Sequence, residues 1–494
     1  MIHRLAAAFA WFFTVFLMTP SSAAAQSVGD GDQSRPNILI LLADDLGYGD
    51  LGCFGHPHIQ TDHLDALAAG GLRLTDCYAA APVCSPSRVG LLTGRSPNRA
   101  GVFDWIPEVK PGRVVDNPDD PKHAHRRALV HMRVGEVTMA TVLKRAGYQT
   151  AMIGKYHCNS RFNSSVQPGP GDHGFEHWIA TQNNASPSHH QPRNFVANGN
   201  PVGRVDRYSS HYVADEAIRW LESNSSSPKP FFLYLPFHEP HLPIASPPEL
   251  VDRYLDVATN PMEAEYFANV HNLDLAIGRI IDHLRRTSQL DDTLIFFTSD
   301  NGPETLDRYP SATKCYGSAG NLRGRKLHTH DGGLKVPGIV HWPAKIEGSR
   351  TSHHVFSSLD LMPTLCTLAG ATPPDRPLDG MDQAAFLASP LGPTPRSKPL
   401  VWTFFNALNQ PQVAMRLGRY KVLATIDDLP RLANLTEGLK QTAKQKPLVD
   451  YEIYDVTTDV AERNNLLDGI ESSPDLCQTL RQHYHALLND SHAW

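Results

Sequence analysis

The sequence predicts an α/β protein: a large, mostly parallel sheet flanked by helices, followed by a smaller antiparallel-sheet subdomain. Three observations carry this. Asn37-Ile38-Leu39-Ile40-Leu41-Leu42-Ala43 and Thr293-Leu294-Ile295-Phe296-Phe297-Thr298-Ser299 are nearly continuous apolar runs, the pattern of parallel strands buried on both faces. Further strand-like runs, Tyr148 to Ile153 and Phe231 to Phe237, alternate with helical stretches near 62–70, 135–146, 211–223 and 263–288. Beyond about residue 370 the composition shifts to Pro-rich, polar stretches between short strand-like runs.

In chain order, residues 1–25 read as a secretory signal. His3 and Arg4 open it, Leu5 to Met18 form the apolar run, and Ala23-Ala24-Ala25 offers a cleavage site before Gln26. No other stretch approaches transmembrane length, so an exported protein, periplasmic or secreted, is expected, with no membrane attachment after cleavage. Residues 26–36 are a polar linker, 37–370 the main α/β domain, and 371–494 an α+β subdomain. Within the last, Leu400 to Phe405, Gln412 to Leu417, Tyr420 to Ala424 and Tyr451 to Asp455 read as strands, and Pro474 to Leu488 as a helix.

Of the 494 residues, 41% are hydrophobic and 19% charged, ordinary for a globular chain. A net charge of −6 argues against nucleic acid as a partner, so any anion site must be a local gathering of Lys, Arg and His. The seven cysteines are widely spaced and show neither a disulfide framework nor a zinc pattern.

Each of the two apolar runs ends in a polar pair, Asp44-Asp45 and Asp300-Asn301. Ligands in open α/β sheets gather beyond the carboxyl ends of strands. Four oxygen-bearing side chains meeting there would form a hard-cation site for calcium or magnesium. Either pair alone reads equally as a turn or a cap; both in one sheet favour the metal.

Cys84-Ser85-Pro86-Ser87-Arg88 opens a short helix, with Ser85 as N-cap and Pro86 at the first helical position. Cys84 then stands at a helix N-terminus, which favours an anion, and Arg88 lies one turn in. A small buried cysteine is one alternative. A phosphatase-type thiolate is another, although that loop places Arg six positions after Cys and here the interval is four. Three further clusters could bring cations to the same edge. They are Gly154-Lys155-Tyr156-His157, Phe237-His238-Glu239-Pro240-His241-Leu242-Pro243, and Leu322-Arg323-Gly324-Arg325-Lys326 leading to Asp331-Gly332-Gly333. Singly, each reads as well as a solvated lysine or a hydrogen-bonded histidine.

Together these strings resemble the type I sulfatases, the formylglycine-dependent, arylsulfatase-like branch of the alkaline phosphatase superfamily. Cys84-Ser85-Pro86-Ser87-Arg88 continuing to Leu92-Thr93-Gly94-Arg95 is similar to that family's signature. The Lys155-His157, His238-His241 and Leu322-Lys326 motifs follow in the family's order, and Ile453-Tyr454-Asp455…Asn465-Leu466 is close to its C-terminal ending. The resemblance implies an alkaline-phosphatase-like fold and hydrolysis of sulfate monoesters. It implies that a maturation enzyme oxidises Cys84 to formylglycine (3-oxoalanine), whose hydrate attacks sulfur. It assigns Asp44, Asp45, Asp300, Asn301 and the modified Cys84 to a calcium ion, alternatively magnesium. Arg88 would hold the hydrate, and Lys155 and Lys326 would neutralise sulfate oxygens. His241 would contact sulfate and help protonate the leaving oxygen, and His157 would take the proton that expels sulfate.

Two departures are Tyr156 in place of Trp, and His330-Asp331 where Tyr-Glu is common. A phosphate or phosphonate ester would suit the same fold, and the context of Cys84 is what selects sulfate. An inactive carbohydrate-binding protein is the remaining alternative, and the intact charged set speaks against it. The stretch Gln182 to Gln191 is dense in hydrogen-bonding side chains, from which Asn183 and His190 are expected to contact a sulfated carbohydrate.

Overall fold

The computed structural model describes residues 35–108, 131–306, 308–310, 312–388, 396–429 and 442–490. The signal-like stretch and all but the end of the linker therefore lie outside the described residues.

Asn37–Ala43 is the axis of the main sheet. It pairs in parallel with Phe231–Pro236 on one side and Thr293–Ser299 on the other, with Ile40 opposite Tyr234 and Phe296. Both faces are covered, so the run can be apolar throughout. Leu39, Leu41 and Ala43 pack with residues of the helices Ser209–Ser223 and Pro261–Arg286. Ile38, Ile40 and Leu42 pack on the other face with residues of Cys84–Thr93, Met139–Arg145 and Leu361–Ala369. Helix Pro261–Arg286 begins two residues before the expected 263, because Asn260 accepts hydrogen bonds from the amides of Met262 and Glu263 and Pro261 fills the first position.

The sheet has eleven strands. Gln149–Lys155 and His177–Thr181 extend the parallel core beyond Phe231–Pro236. On the opposite side the chain departs from parallel: Lys335–His341 runs antiparallel to both Thr293–Ser299 and Leu72–Tyr78. The sheet is thus mixed, with a parallel centre and antiparallel additions.

A second sheet of four antiparallel strands, Leu400–Thr403, Val413–Leu417, Tyr420–Ile426 and Leu448–Asp455, carries the helix Ser473–Asn489. Leu476, Leu480, Tyr484 and Leu488 of that helix share a core with Val413, Met415, Val422 and Ile453. The first strand stops at Thr403, short of the expected Phe405; the Phe404 amide still donates to Gln412 O at 2.8 Å, and Phe405 and Asn406 turn away. The two sheets are joined by packing and hydrogen bonds; Trp402 Nε1 donates to Ala79 O at 2.9 Å. Among the described residues no helix is long and apolar enough to cross a membrane. All seven cysteines are free thiols.

Candidate active site

The carboxyl ends of the two central strands meet as adjacent turns. Asp45 adopts a left-handed conformation (φ 63°), which turns the chain sharply after Asp44. Its amide donates to Asp300 Oδ1 at 3.1 Å, and Asn301 Nδ2 donates to Asp45 Oδ1 at 2.7 Å. The two polar pairs therefore form one cluster.

Three cations are threaded between these oxygens. Arg88 directs Nε and Nη2 to Asp300 Oδ2 at 2.9 and 2.7 Å, and Nη1 to the carbonyl of Lys155 at 2.9 Å. Lys155 Nζ donates to Asp44 Oδ2 at 2.6 Å and to Asn184 Oδ1 at 3.0 Å. Lys326 Nζ donates to Asp45 Oδ2 at 2.6 Å and stands 3.7 Å from Glu304. Glycines make two of these placements possible. A Cβ on Gly154 would lie 1.9 Å from Pro236 O, so only glycine lets the strand carrying Lys155 approach there. A Cβ on Gly332 would lie 2.0 Å from Gly324 O, which explains why the loop bearing Lys326 closes on a Gly-Gly pair.

Burial sets the electrostatics. It opposes ionisation of Asp44, but Lys155, with His241, Arg88 and Lys326, holds that carboxyl well below the ordinary range. Asp45 is pushed up to about 6 by burial and Asp44, against the pull of Lys326. Asp300 is pushed up to about 7 by burial and Asp44, against the pull of Arg88. Buried Asp44 Oδ1 and Asn301 Oδ1 receive no hydrogen bond, Arg88 Nη2 standing 3.4 Å from the former. Ligand atoms of Asp44, Asp45, Cys84 and His241 lie within 4.8 Å of one another. Clustered carboxylates, with two orphaned oxygens beside them, fit a divalent cation.

Cys84 is the first residue of the helix Cys84–Thr93, with Val83 extended at the cap. Ser85 is not the N-cap that its residue type suggests; its hydroxyl instead accepts from the amide of Ile106 at 2.9 Å. Burial pushes the Cys84 thiol up to about 12, despite Lys326 and Lys155.

The two histidines have assigned tautomers because each faces a carbonyl. His157 Nε2 donates to Ile106 O at 2.8 Å, leaving Nδ1 buried with no hydrogen-bond partner and free to accept a proton. His241 Nδ1 donates to Leu242 O at 2.6 Å, which leaves Nε2 3.5 Å from Asp45 Oδ2. Burial lowers both imidazoles well below their ordinary value. Lys155 and Arg88 add to this at His157, and Lys326 and Lys155 at His241.

A cavity of about 530 Å³ opens above this cluster. Cys84, His157, His241 and Lys326 line it, together with Asn183. Arg88, Asp300 and Asn301 are buried in the cluster beneath. His190 is not among the lining residues; it is exposed, bridges Tyr208 through its backbone, and lays its ring 4.8 Å from the Tyr208 ring. Its neighbour His189 is the buried one, contacting Asn269. The rim contains residues that no sequence motif singles out: Asp104, Trp105, Arg308, Tyr309, Asn406 and Leu408. Glu304 also belongs to the wall, and an acid three positions after Asn301 was the signal that could have found it. Asp331 is a structural anchor, accepting from Lys421 Nζ at 2.6 Å and from the Tyr78 hydroxyl at 3.0 Å.

The α/β sheet with its smaller antiparallel companion is the fold of alkaline-phosphatase-like proteins. Residues 36–371 match the model of the sulfatase family, and the chain belongs to that family. Arylsulfatase A of Homo sapiens is 32% identical over 476 residues, covering 90% of this chain and 86% of the relative. N-acetylgalactosamine-6-sulfatase of Sus scrofa is 33% identical over 441 residues, covering 84% and 76%. Among solved structures, Ps i-CgsB in complex with k-i-k-neocarrahexaose superposes with a TM-score of 0.73 at 23% identity, covering 92% of this chain and 93% of that one. The PsFucS1 sulfatase from Pseudoalteromonas sp. gives 0.70 at 25% identity, covering 92% and 90%. The protein is a sulfuric ester hydrolase.

Proposed function

We propose that the protein releases sulfate from a sulfated carbohydrate, with a hydrated formylglycine derived from Cys84 as nucleophile and a calcium ion, alternatively magnesium, beside it. The observation that carries this reading is the floor of the cavity. There a residue at a helix N-terminus meets three carboxylates and an amide interleaved with Arg88, Lys155 and Lys326, all buried. Oxidation of Cys84 by a maturation enzyme replaces the thiol with an aldehyde whose hydrate offers hydroxyl groups. Asp44, Asp45, Asp300, Asn301 and the modified residue 84 would hold the ion, which when bound acidifies a hydroxyl and neutralises sulfate oxygens.

The remaining roles belong to this chain's own side chains. Arg88, pinned by Asp300 and the Lys155 carbonyl, orients residue 84. Lys155 and Lys326 present fixed positive charge to sulfate oxygens in a site largely closed to water, where such charge acts strongly. His241 approaches the leaving oxygen through Nε2; a sulfate group beside it offsets the lysines and restores its basicity. His157 takes a proton at Nδ1, its tautomer fixed by the Ile106 carbonyl. Asn183 and Asn184 on the wall offer amide groups to sugar hydroxyls, and among the relatives are N-acetylgalactosamine-6-sulfatases. The signal-like N-terminus is consistent with export.

Sulfate release from a panel of sulfated saccharides and one aryl sulfate tests the proposal, using protein produced together with a formylglycine-generating enzyme. Turnover should be lost on chelation and restored by calcium or magnesium. Turnover indifferent to chelator, or release from no panel member, would contradict it.

A further inference from the structure

We infer that Thr181 is a positioning residue of this site: its hydroxyl, held by His238, sets the Asn183–Asn184 turn and, through Asn184, the direction of the Lys155 ammonium. The inference rests on the sulfate-ester reading above, which gives Lys155 a sulfate oxygen to face. It starts from a strand end that no sequence motif marks. Thr181 closes the strand His177–Thr181 and is the parallel partner of Lys155, so the two chains leave the sheet side by side. The amides of Tyr156 and His157 donate to the carbonyls of Thr181 and Gln182 at 3.0 and 2.9 Å, which carries the pairing past the strand ends.

A single proton decides the direction of the next two contacts. Thr181 Oγ1 lies 2.5 Å from the Asn183 carbonyl oxygen and 2.7 Å from His238 Nε2. A hydroxyl donates once, and a carbonyl oxygen only accepts. The Thr181 proton therefore goes to Asn183, and His238 donates from Nε2 to Thr181. His238 Nδ1 agrees with this. It is buried with no hydrogen-bond partner among the described residues, a place that suits a bare acceptor better than an N–H. The imidazole is itself held in the interior, with the Phe195 ring nearly perpendicular to it at a centroid distance of 5.4 Å.

The far end of this relay is Lys155. An ammonium group has three N–H donors. In Lys155 one goes to Asp44 Oδ2 at 2.6 Å and one to Asn184 Oδ1 at 3.0 Å. Tetrahedral geometry then fixes the third, which is the one left for a sulfate oxygen. Without Asn184 the ammonium would turn about its bond to Asp44. Asn184 is held from both sides: its carbonyl accepts from Asn194 Nδ2 at 2.8 Å, and the residue before it is held by Thr181. Asn183 and Asn184 line the cavity, whereas Thr181 is fully buried and reaches the site only through them. A charge that acts on a reacting group must be held within about 0.5 Å of its productive place, which is what such a relay supplies.

The test measures kcat/KM on one aryl sulfate and on the best saccharide of the panel. It compares wild type, Thr181→Val, Thr181→Ser, Asn184→Ala and the double variant Thr181→Val/Asn184→Ala. Thr181→Val keeps the shape and removes the hydroxyl. It should lose about tenfold or more on both substrates, because the misdirected charge serves the sulfate they share. Thr181→Ser keeps the hydroxyl and should stay within about threefold of wild type. The double variant should match the poorer single variant within about twofold, since both changes break one chain of contacts. A residue that merely stabilised the fold would instead multiply its loss onto that of Asn184→Ala. Losses that multiply, a loss confined to the saccharide, full turnover by Thr181→Val, or Thr181→Ser as poor as Thr181→Val would each overturn the inference and leave the functional reading intact. Should Thr181→Val not fold, Thr181→Ala paired with Asn184→Ala gives the same test of non-additivity. Wild-type protein that hydrolyses no sulfate ester would overturn both.

Discussion

The floor and the rim of the cavity differ in kind. Asp44, Asp45, Arg88, Lys155, Asp300, Asn301 and Lys326 are each at most 4% exposed and are joined by hydrogen bonds of 2.6 to 3.1 Å. Around them stand Trp105, Arg308, Tyr309 and Asn406, partly exposed and drawn from separate loops. A buried charge without its partner is costly, so the floor tolerates few alternatives. The rim bears no such constraint and is free to differ between relatives that share one reaction. On the proposed function, reaction and selectivity would be built from different parts of the chain.

That division predicts effects of different size and breadth. Lys326→Ala should lower kcat by about a hundred- to thousandfold on aryl and saccharide sulfates alike, since it removes a charge aimed at the reacting group. A loss confined to saccharides would erase the distinction between floor and rim. Asn406→Ala should cost about threefold to tenfold in kcat/KM on saccharides alone, the effect of one neutral hydrogen bond and of loosening Asp104. An equal loss on a small aryl sulfate would place Asn406 functionally with the floor.

A smaller effect is expected where the loop carrying Lys326 meets the second sheet. Burial first, then Arg323 and Lys421, lowers the His330 pKa from 6.5 to about 3. The unfolded chain binds a proton below pH 6.5 that the folded chain refuses until about pH 3, so His330's share of stability is present above pH 6.5 and lost as pH falls toward 3. His330→Asn should flatten that limb of the melting-temperature profile. An unaltered limb would mean that the imidazole is not held neutral in the fold.

The same contrast explains what the sequence revealed. Asp44, Asp45, Lys155, Asp300 and Asn301 end or directly follow buried strands, Arg88 and Lys326 lie in short strings of their own, and strand burial is written in continuous apolar runs such as Asn37 to Ala43. The rim is assembled by tertiary packing: Trp105 and Asn406 are three hundred residues apart, and nothing local in Phe103 to Ile106 indicates a cavity wall. His190 shows the converse, since a polar stretch names hydrogen-bonding capacity without its direction, and the chain buries His189 and turns His190 outward. Leu72–Tyr78 escapes a periodicity reading because its alternation lasts only to Thr75 and is broken at Asp76, where a bulge lies between Leu74 and Cys77. The start of the helix at Cys84 escapes because Ser85 is engaged by Ile106, a partner twenty-one residues away.

The central claim is that the nucleophile is made from Cys84. Mass spectrometry of the peptide spanning residue 84, on preparations of graded activity, tests it most directly. Specific activity should rise in proportion to the fraction of residue 84 carrying an aldehyde in place of the thiol, and vanish where none does. Full activity in protein whose Cys84 is an unmodified thiol would contradict the account.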